Sequence, residues 1–173
     1  SRPIFYYYRD KEILVRIFIK FKILLLTGLI FLALGSGKIT LAEDIILKDL
    51  GGQAVQLSSY KGKPMILFFW TTWCPYCRVE LRILNQKYSV MAKEGIAILG
   101  VNVNESENKV QRFFKGYPLN FKILLDKSGL LADQYDLIGV PTYIFLDKTG
   151  EVISQAHSLP ANYKSLLFKQ AVK

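Results

Sequence analysis

Histidine and cysteine are scarce in this sequence, which has one His and two Cys among its 173 residues. A structural zinc site usually takes four ligands from these two residue types. His157 stands eighty residues after Cys77, so the chain offers too few ligands in the wrong arrangement. The sequence therefore argues against a structural metal site, and we expect no metal.

The sequence also lacks the marks of a nucleic-acid-binding protein. The formal net charge is +9, and seven of the Lys and Arg residues lie in residues 1–42. Residues 43–173 carry 16 basic and 12 acidic residues, with no basic stripe and no recognisable reading motif. We interpret this charge as a mildly basic, solvated surface, and we expect no nucleic acid as a partner.

Long apolar runs are equally scarce. The uncharged run at 23–37 has 15 residues, fewer than the ~17–25 of a typical membrane helix. Lys20 and Lys22 precede it, and the small residues Thr40 and Ala42 after it offer a cleavage point. A basic flank, a short apolar run and small residues in this order are typical of a secretory signal.

The excess of Lys and Arg before this run predicts an inside N-terminus and an exported domain after it. We therefore expect residues 1–42 to be an export signal, or a retained membrane anchor if the flanking lysines reach the interface. Residues 43–173 would then form one domain, in the periplasm or at the outer face of the cytoplasmic membrane.

Apolar patterning along the main domain predicts strands that alternate with helices. This alternation implies an α/β fold with a central, mixed sheet. The predicted strands are a hairpin within 43–63, then 65–70, 96–103, 121–126, 142–147 and 151–156. The predicted helices run from Cys77 to about Gly95, then from about 106 to 114, 130–137 and 162–172.

Both cysteines lie in the stretch FFWTTWCPYCRVE, residues 68–80. A disulfide between Cys74 and Cys77 closes a very small loop, so it would add little stability. Thiol–disulfide exchange needs one exposed thiolate and a second thiol nearby, and Cys-x-x-Cys at a helix N-terminus supplies both. Pro75 suits the first helical turn, because it has no N–H to leave unpaired. The context, after a buried strand and before a helix, indicates a redox pair.

The chain resembles the thioredoxin superfamily and, within it, the TlpA/ResA-like thiol–disulfide oxidoreductases of exported domains. Three stretches carry the likeness over residues 43–155: DLGGQAVQLSSYKGKPMILFFWTTWCPYCRVEL, AILGVNVNES and FKILLDKSGLLADQYDLIGVPTYIFLDKTGEV. The resemblance implies a thioredoxin-like fold, a central mixed sheet flanked by helices, with an N-terminal β-hairpin. Because 64 residues separate Cys77 from Pro141, we also expect the branch's central strand-helix insertion, within 104–126.

The resemblance also implies roles for the residues around the motif. Cys74 would attack a substrate disulfide, and Cys77 would resolve the mixed disulfide that results. Trp73 would shield the site. Pro141 would be a cis-proline beside the redox pair, with the backbone of Val140 pairing with an incoming substrate strand.

Two departures from the thioredoxin pattern bear on the chemistry. Phe68 stands where thioredoxins proper have a buried Asp, and a phenyl ring cannot carry protons. Glu80, three residues after Cys77, matches a carboxylate of the ResA-like branch and is expected to act as acid/base for that thiol. A solvated surface charge is the alternative for Glu80. Pro75 and Tyr76 form a CPYC motif better known from glutaredoxins, so a strongly reducing potential is not simply inherited. Both are expected to contact substrates, and simple exposure within the motif is the alternative for Tyr76.

The function implied by the resemblance is the reduction of disulfides in exported proteins, for example the paired cysteines of apocytochrome c before haem attachment. No bound cofactor is needed, and a membrane electron donor of the CcdA or DsbD type would recharge the pair. Two alternatives stay open: an oxidant that forms disulfides in exported thiols, and a non-catalytic peptide-binding module of thioredoxin-like fold. We expect His157 to be exposed or packed rather than a catalytic base.

Overall fold

The computed structural model of the protein describes Lys20 and residues 45–168. Apart from Lys20, the predicted export segment 1–42 lies outside these residues. The chain divides into two compact units, Ser1–Gly37 and Lys38–Lys173. Among the described residues, none of the helices combines the length and the apolarity that a membrane crossing requires.

The second unit is a mixed sheet flanked by helices, as the α/β prediction requires. In chain order its elements are β1 (Ile46–Asp49), β2 (Ala54–Gln56), a 3-10 helix (Leu57–Tyr60), β3 (Met65–Trp70), α1 (Pro75–Lys93), β4 (Ala97–Val103), α2 (Glu107–Phe113), β5 (Lys122–Asp126), α3 (Leu130–Gln134), β6 (Thr142–Leu146), β7 (Val152–Ala156) and α4 (Tyr163–Phe168). The seven strands lie in the order β2-β1-β5-β4-β3-β6-β7.

Strand β3 lies inside the sheet and carries the chain into the redox motif. It pairs in parallel with β4 and antiparallel with β6, and all six of its side chains are buried. Because successive side chains of a strand point to opposite faces, they enter two separate core clusters. Helix α1 packs on one face through Leu81, Leu84 and Met91, so the strand and the helix hold the intervening loop from both ends.

Both predicted hairpins are present. Strands β1 and β2 pair antiparallel across Gly51 and Gly52, and β6 pairs antiparallel with β7. The predicted insertion within 104–126 corresponds to α2 and β5. Strand β5 pairs in parallel with β4 and antiparallel with β1, so the insertion links the N-terminal hairpin to the central strands.

Gly100, in the middle of β4, is required by close packing. A Cβ atom there would lie 2.5 Å from Cδ1 of Ile123 and 3.2 Å from Cε2 of Phe121. Both neighbours are buried, so they have little room to move, and we expect Gly100→Ala to lower the free energy of unfolding by about 1–3 kcal/mol. Denaturant unfolding measures the change. Gly139→Ala is the matched control, since nothing lies within 4 Å of its added Cβ; equal losses in both variants would contradict the packing argument.

Candidate active site

The two cysteines form a disulfide at the N-terminus of α1. Cys74 is the N-cap residue, and its sulfur accepts a hydrogen bond from the backbone N–H of Cys77 at 3.1 Å. Pro75 occupies the first turn, as predicted. The unpaired N–H groups and the dipole at a helix N-terminus favour negative charge. The same hydrogen bond is therefore available to stabilise a Cys74 thiolate once the disulfide is reduced.

The redox pair is more buried than the sequence suggested. The exposed fraction is 3% for Cys74 and 0% for Cys77, so the expectation of an exposed attacking sulfur is wrong for the disulfide form. Its aromatic neighbours are exposed instead, Trp73 to 66% and Tyr76 to 76%. The physical reason is that the Cys74 sulfur packs against a loop from another part of the chain. Shielding by Trp73 stays a prediction.

That loop precedes β6 and contains the expected cis-proline. The Val140–Pro141 peptide bond is cis, and both residues are half-buried. The Cys74 sulfur lies 3.8 Å from the carbonyl oxygen of Val140. A disulfide sulfur has no proton to donate, so this is a packing contact. The fold thus brings together the two segments that the resemblance placed at one site, 66 residues apart in sequence.

Glu80 lies on α1, one helical turn after Cys77, and is half-buried. Its Oε2 atom accepts a hydrogen bond from the hydroxyl of Tyr143 at 2.7 Å and another from the N–H of Leu159 at 3.2 Å. Side chains three apart on a helix lie on one face, so Glu80 and Cys77 project to the same side. A fully solvated surface charge does not fit these contacts.

Tyr143, on β6, is a site residue that the sequence did not single out. It is completely buried and faces Phe68 in the β3–β6 register, with ring centroids 4.6 Å apart. Burial, together with the hydrogen bond to Glu80, raises the pKa of Tyr143 well above its usual value. Its hydroxyl therefore stays protonated and donates to the carboxylate. The signal was a Tyr within the strand predicted at 142–147, because a buried hydroxyl needs a partner.

His157 is exposed, as predicted, yet it contacts the cis-proline loop. Its Nδ1 atom lies 2.9 Å from the carbonyl oxygen of Pro141 and 3.3 Å from the hydroxyl of Thr142. The Thr142 hydroxyl itself donates to the carbonyl of Gly139 at 2.7 Å. The carbonyl oxygen of Pro141 can only accept a hydrogen bond, so Nδ1 of His157 is the protonated nitrogen and the donor in this contact. His157 thus supports the loop from outside.

Within the described part of the chain, no group of three or more His, Cys, Asp or Glu side chains could hold a metal ion. The chemistry that this geometry supports is that of the two sulfurs, with Glu80 on the same face of α1 as Cys77. The expectation that no metal and no cofactor is needed stays a prediction.

Comparison with known proteins agrees with this geometry. The AhpC/TSA family matches residues 40–155, and the thiol-disulfide oxidoreductase ResA of Bacillus subtilis is 34% identical over 148 residues, covering 80% of this chain and 83% of that protein. The chain belongs to the AhpC/TSA family, among its ResA-like thiol–disulfide oxidoreductases. The ResA of Geobacillus kaustophilus is 39% identical over 111 residues, which cover 64% of this chain and 64% of that relative.

The ResA-like fold also matches a solved structure. An exposed lipoprotein thioredoxin of Streptococcus pneumoniae superposes with a TM-score of 0.63 and 27% identity, over 70% of this chain and 96% of that one. The predicted family and thioredoxin-like fold are thereby confirmed. This ResA-like chain spans a little under two thirds of the length of the G. kaustophilus relative.

Proposed function

We propose that this ResA-like protein reduces disulfides in exported proteins through Cys74 and Cys77. One observation carries the proposal: the Cys74 sulfur caps α1, accepts the N–H of Cys77 and touches the carbonyl of Val140. A sulfur at this point has a thiolate-stabilising donor on one side. On the other side it has a segment of backbone to which a substrate strand can pair.

In the proposed reaction the reduced protein meets a substrate disulfide. The Cys74 thiolate attacks one substrate sulfur; a Cys74–substrate bond forms, the substrate S–S bond breaks, and the departing sulfur takes up a proton. Cys77 then loses its proton to the carboxylate of Glu80 and attacks the Cys74 sulfur. The Cys74–Cys77 disulfide forms as the mixed disulfide breaks, the departing substrate sulfur takes up the proton held by Glu80, and the substrate leaves as a dithiol. Two electrons pass from the protein to the substrate.

Substrate contact would involve the cis-proline loop and the exposed rim of the motif. The backbone of Val140, beside Pro141, would pair with an extended substrate segment by strand addition. Trp73, Pro75 and Tyr76 are exposed next to the buried sulfurs, and we propose that they cover the substrate around its disulfide. The pair of cysteines in apocytochrome c, before haem attachment, is the proposed substrate.

The remaining assignments rest on the sequence. We propose that residues 1–42 direct export and that 43–173 act in the periplasm or at the outer face of the membrane, anchored if the segment is uncleaved. The S. pneumoniae relative is an exposed lipoprotein, which supports an extracytoplasmic site. A membrane electron donor of the CcdA or DsbD type would return the oxidised pair to the dithiol.

The direction of electron flow is tested by the reduction potential of the Cys74–Cys77 pair. We expect a value near the ~−270 mV of thioredoxin for the full chain. A protein that reduces a substrate disulfide must have a lower reduction potential than the substrate's dithiol/disulfide couple. Equilibration in thiol/disulfide buffers, followed by alkylation and mass measurement, gives the value. A result near the ~−120 mV of a strong oxidant would instead support the formation of disulfides in exported thiols.

A further inference from the structure

The loop that leads from β3 into the redox motif is tied to a distant carboxylate. Thr72 donates its backbone N–H to Oε2 of Glu105 at 2.6 Å and its hydroxyl to Oε1 at 2.7 Å. The two residues are 33 positions apart, and both are buried. One carboxylate therefore holds a single residue at two atoms, and that residue stands two positions before Cys74.

The third polar group of Thr72, its backbone carbonyl, is hydrogen-bonded as well. Its carbonyl oxygen accepts from the Arg78 guanidinium, at 3.3 Å from Nε and 2.9 Å from Nη2. The same guanidinium lies over the ring of Phe113, 5.5 Å from its centroid, where a cation is attracted to the aromatic face. The N–H, hydroxyl and carbonyl of Thr72 are thus all bonded, and the residue has little freedom to shift.

The Glu105 carboxylate also binds two other side chains. Asn102, at the end of β4, donates to Oε2 at 2.8 Å, and Lys109 of α2 pairs with Oε1 at 2.7 Å. Burial by itself would raise the pKa of Glu105, but the hydrogen bonds from Lys109, Asn102 and Thr72 together lower it. The group stays ionised and accepts at both oxygens, which makes its hydrogen bonds the stronger, charge-assisted kind.

We infer that Glu105 is a positioning residue for the redox pair and acts through Thr72. By fixing the loop 71–73, it sets where the Cys74 sulfur sits at the end of α1. That position determines the hydrogen bond from the N–H of Cys77, which stabilises the thiolate. The inference rests on the proposed function, in which Cys74 is the attacking sulfur.

The best test is Thr72→Val in the full chain. Valine has nearly the shape of threonine but removes the hydroxyl bond to Glu105. The carboxylate keeps the Thr72 N–H, Asn102 and Lys109, so the variant avoids a buried charge without partners. We expect insulin reduction to slow about tenfold, since displacements of around an ångström at a reacting group cost up to ~10²-fold. We also expect the pH midpoint of Cys74 thiolate formation, followed by ultraviolet absorbance, to rise. Thr72→Ser, which keeps the hydroxyl, should restore both.

Glu107→Gln is the control for a change close to Glu105 in sequence, because Glu107 is a half-buried residue that pairs with Lys127 at 3.2 Å and makes no contact with Thr72 in the structure. It should leave rate and titration unchanged. A Thr72→Val protein that only melts at a lower temperature, with the wild-type rate and thiolate titration, would overturn the inference and leave the proposed function intact. If Cys74→Ser reduces insulin as fast as the wild type, it is the proposed function that fails.

Discussion

Replacement of Cys74 by serine should abolish disulfide reduction, with a loss of about 10³-fold or more. A serine hydroxyl at the N-cap keeps the helix start intact but is not ionised near neutral pH, and it forms no disulfide with Cys77. Turbidity from insulin reduced by dithiothreitol, with and without the full chain, measures the effect. Retained biological function in Cys74→Ser would instead favour a non-catalytic peptide-binding module.

Cys77→Ser is the companion variant that separates the two sulfurs. Cys74 can still attack a substrate, but no second thiol releases it, so a mixed disulfide with the substrate should accumulate. Mass spectrometry without reductant detects this species. If the mixed disulfide accumulates on Cys77 in the Cys74→Ser variant and not on Cys74 in Cys77→Ser, the assigned roles are reversed.

Glu80→Gln should slow the release of substrate from the mixed disulfide by about 10²-fold, the lower range for loss of a general acid or base. Glutamine keeps an oxygen that can accept from Tyr143 and Leu159, so the side chain keeps its place while its ability to take a proton is lost. The first attack, by Cys74, does not use this group and should keep its rate. Single-turnover kinetics with a quenched gel assay resolve the two steps.

Two further variants show whether the effect of Glu80→Gln is specific. Tyr143→Phe removes one of the two hydrogen bonds to the carboxylate and should slow only the release step, by less than Glu80→Gln. Glu107→Gln makes the same charge change on the surface of α2 and should alter neither step. Equal slowing of attack and release in Glu80→Gln would show that the carboxylate shapes the site as a whole and does not carry the proton.

Much of the fold was predictable, because its strands and helices have strong local patterns. The continuous apolar run of β3 predicted a strand buried on both faces, and all six of its side chains are buried. The stripe of Leu81, Leu84, Tyr88 and Met91 predicted the face of α1 that packs on the sheet. Three of the four are buried, and Tyr88 is half-buried against the same core. Gly95 follows the helix with φ of +79°, a left-handed conformation that glycine adopts readily at a helix C-terminus.

The candidate site was only half predictable. The Cys-x-x-Cys spacing, the proline after the first cysteine and the helical periodicity behind them are local. The sequence by itself therefore predicted a redox pair at a helix N-terminus, and the structure has the Cys74–Cys77 disulfide there. The hydrogen-bond partners of Glu80 and Thr72 could not be predicted from local patterns, because they are distant in sequence. Tyr143 is 63 residues from Glu80, and Glu105 is 33 residues from Thr72.

Only the tertiary structure decided those contacts, together with the burial of Cys74 against Val140. The antiparallel register of β3 with β6 puts Tyr143 beside Phe68, and the parallel register of β3 with β4 brings Asn102 level with Trp70, so that Glu105 reaches the loop beyond β3. A shift of either register by one residue would turn these side chains to the opposite face of the sheet. Local propensity carries no information on register, because pairing is chosen by the packing of the whole sheet.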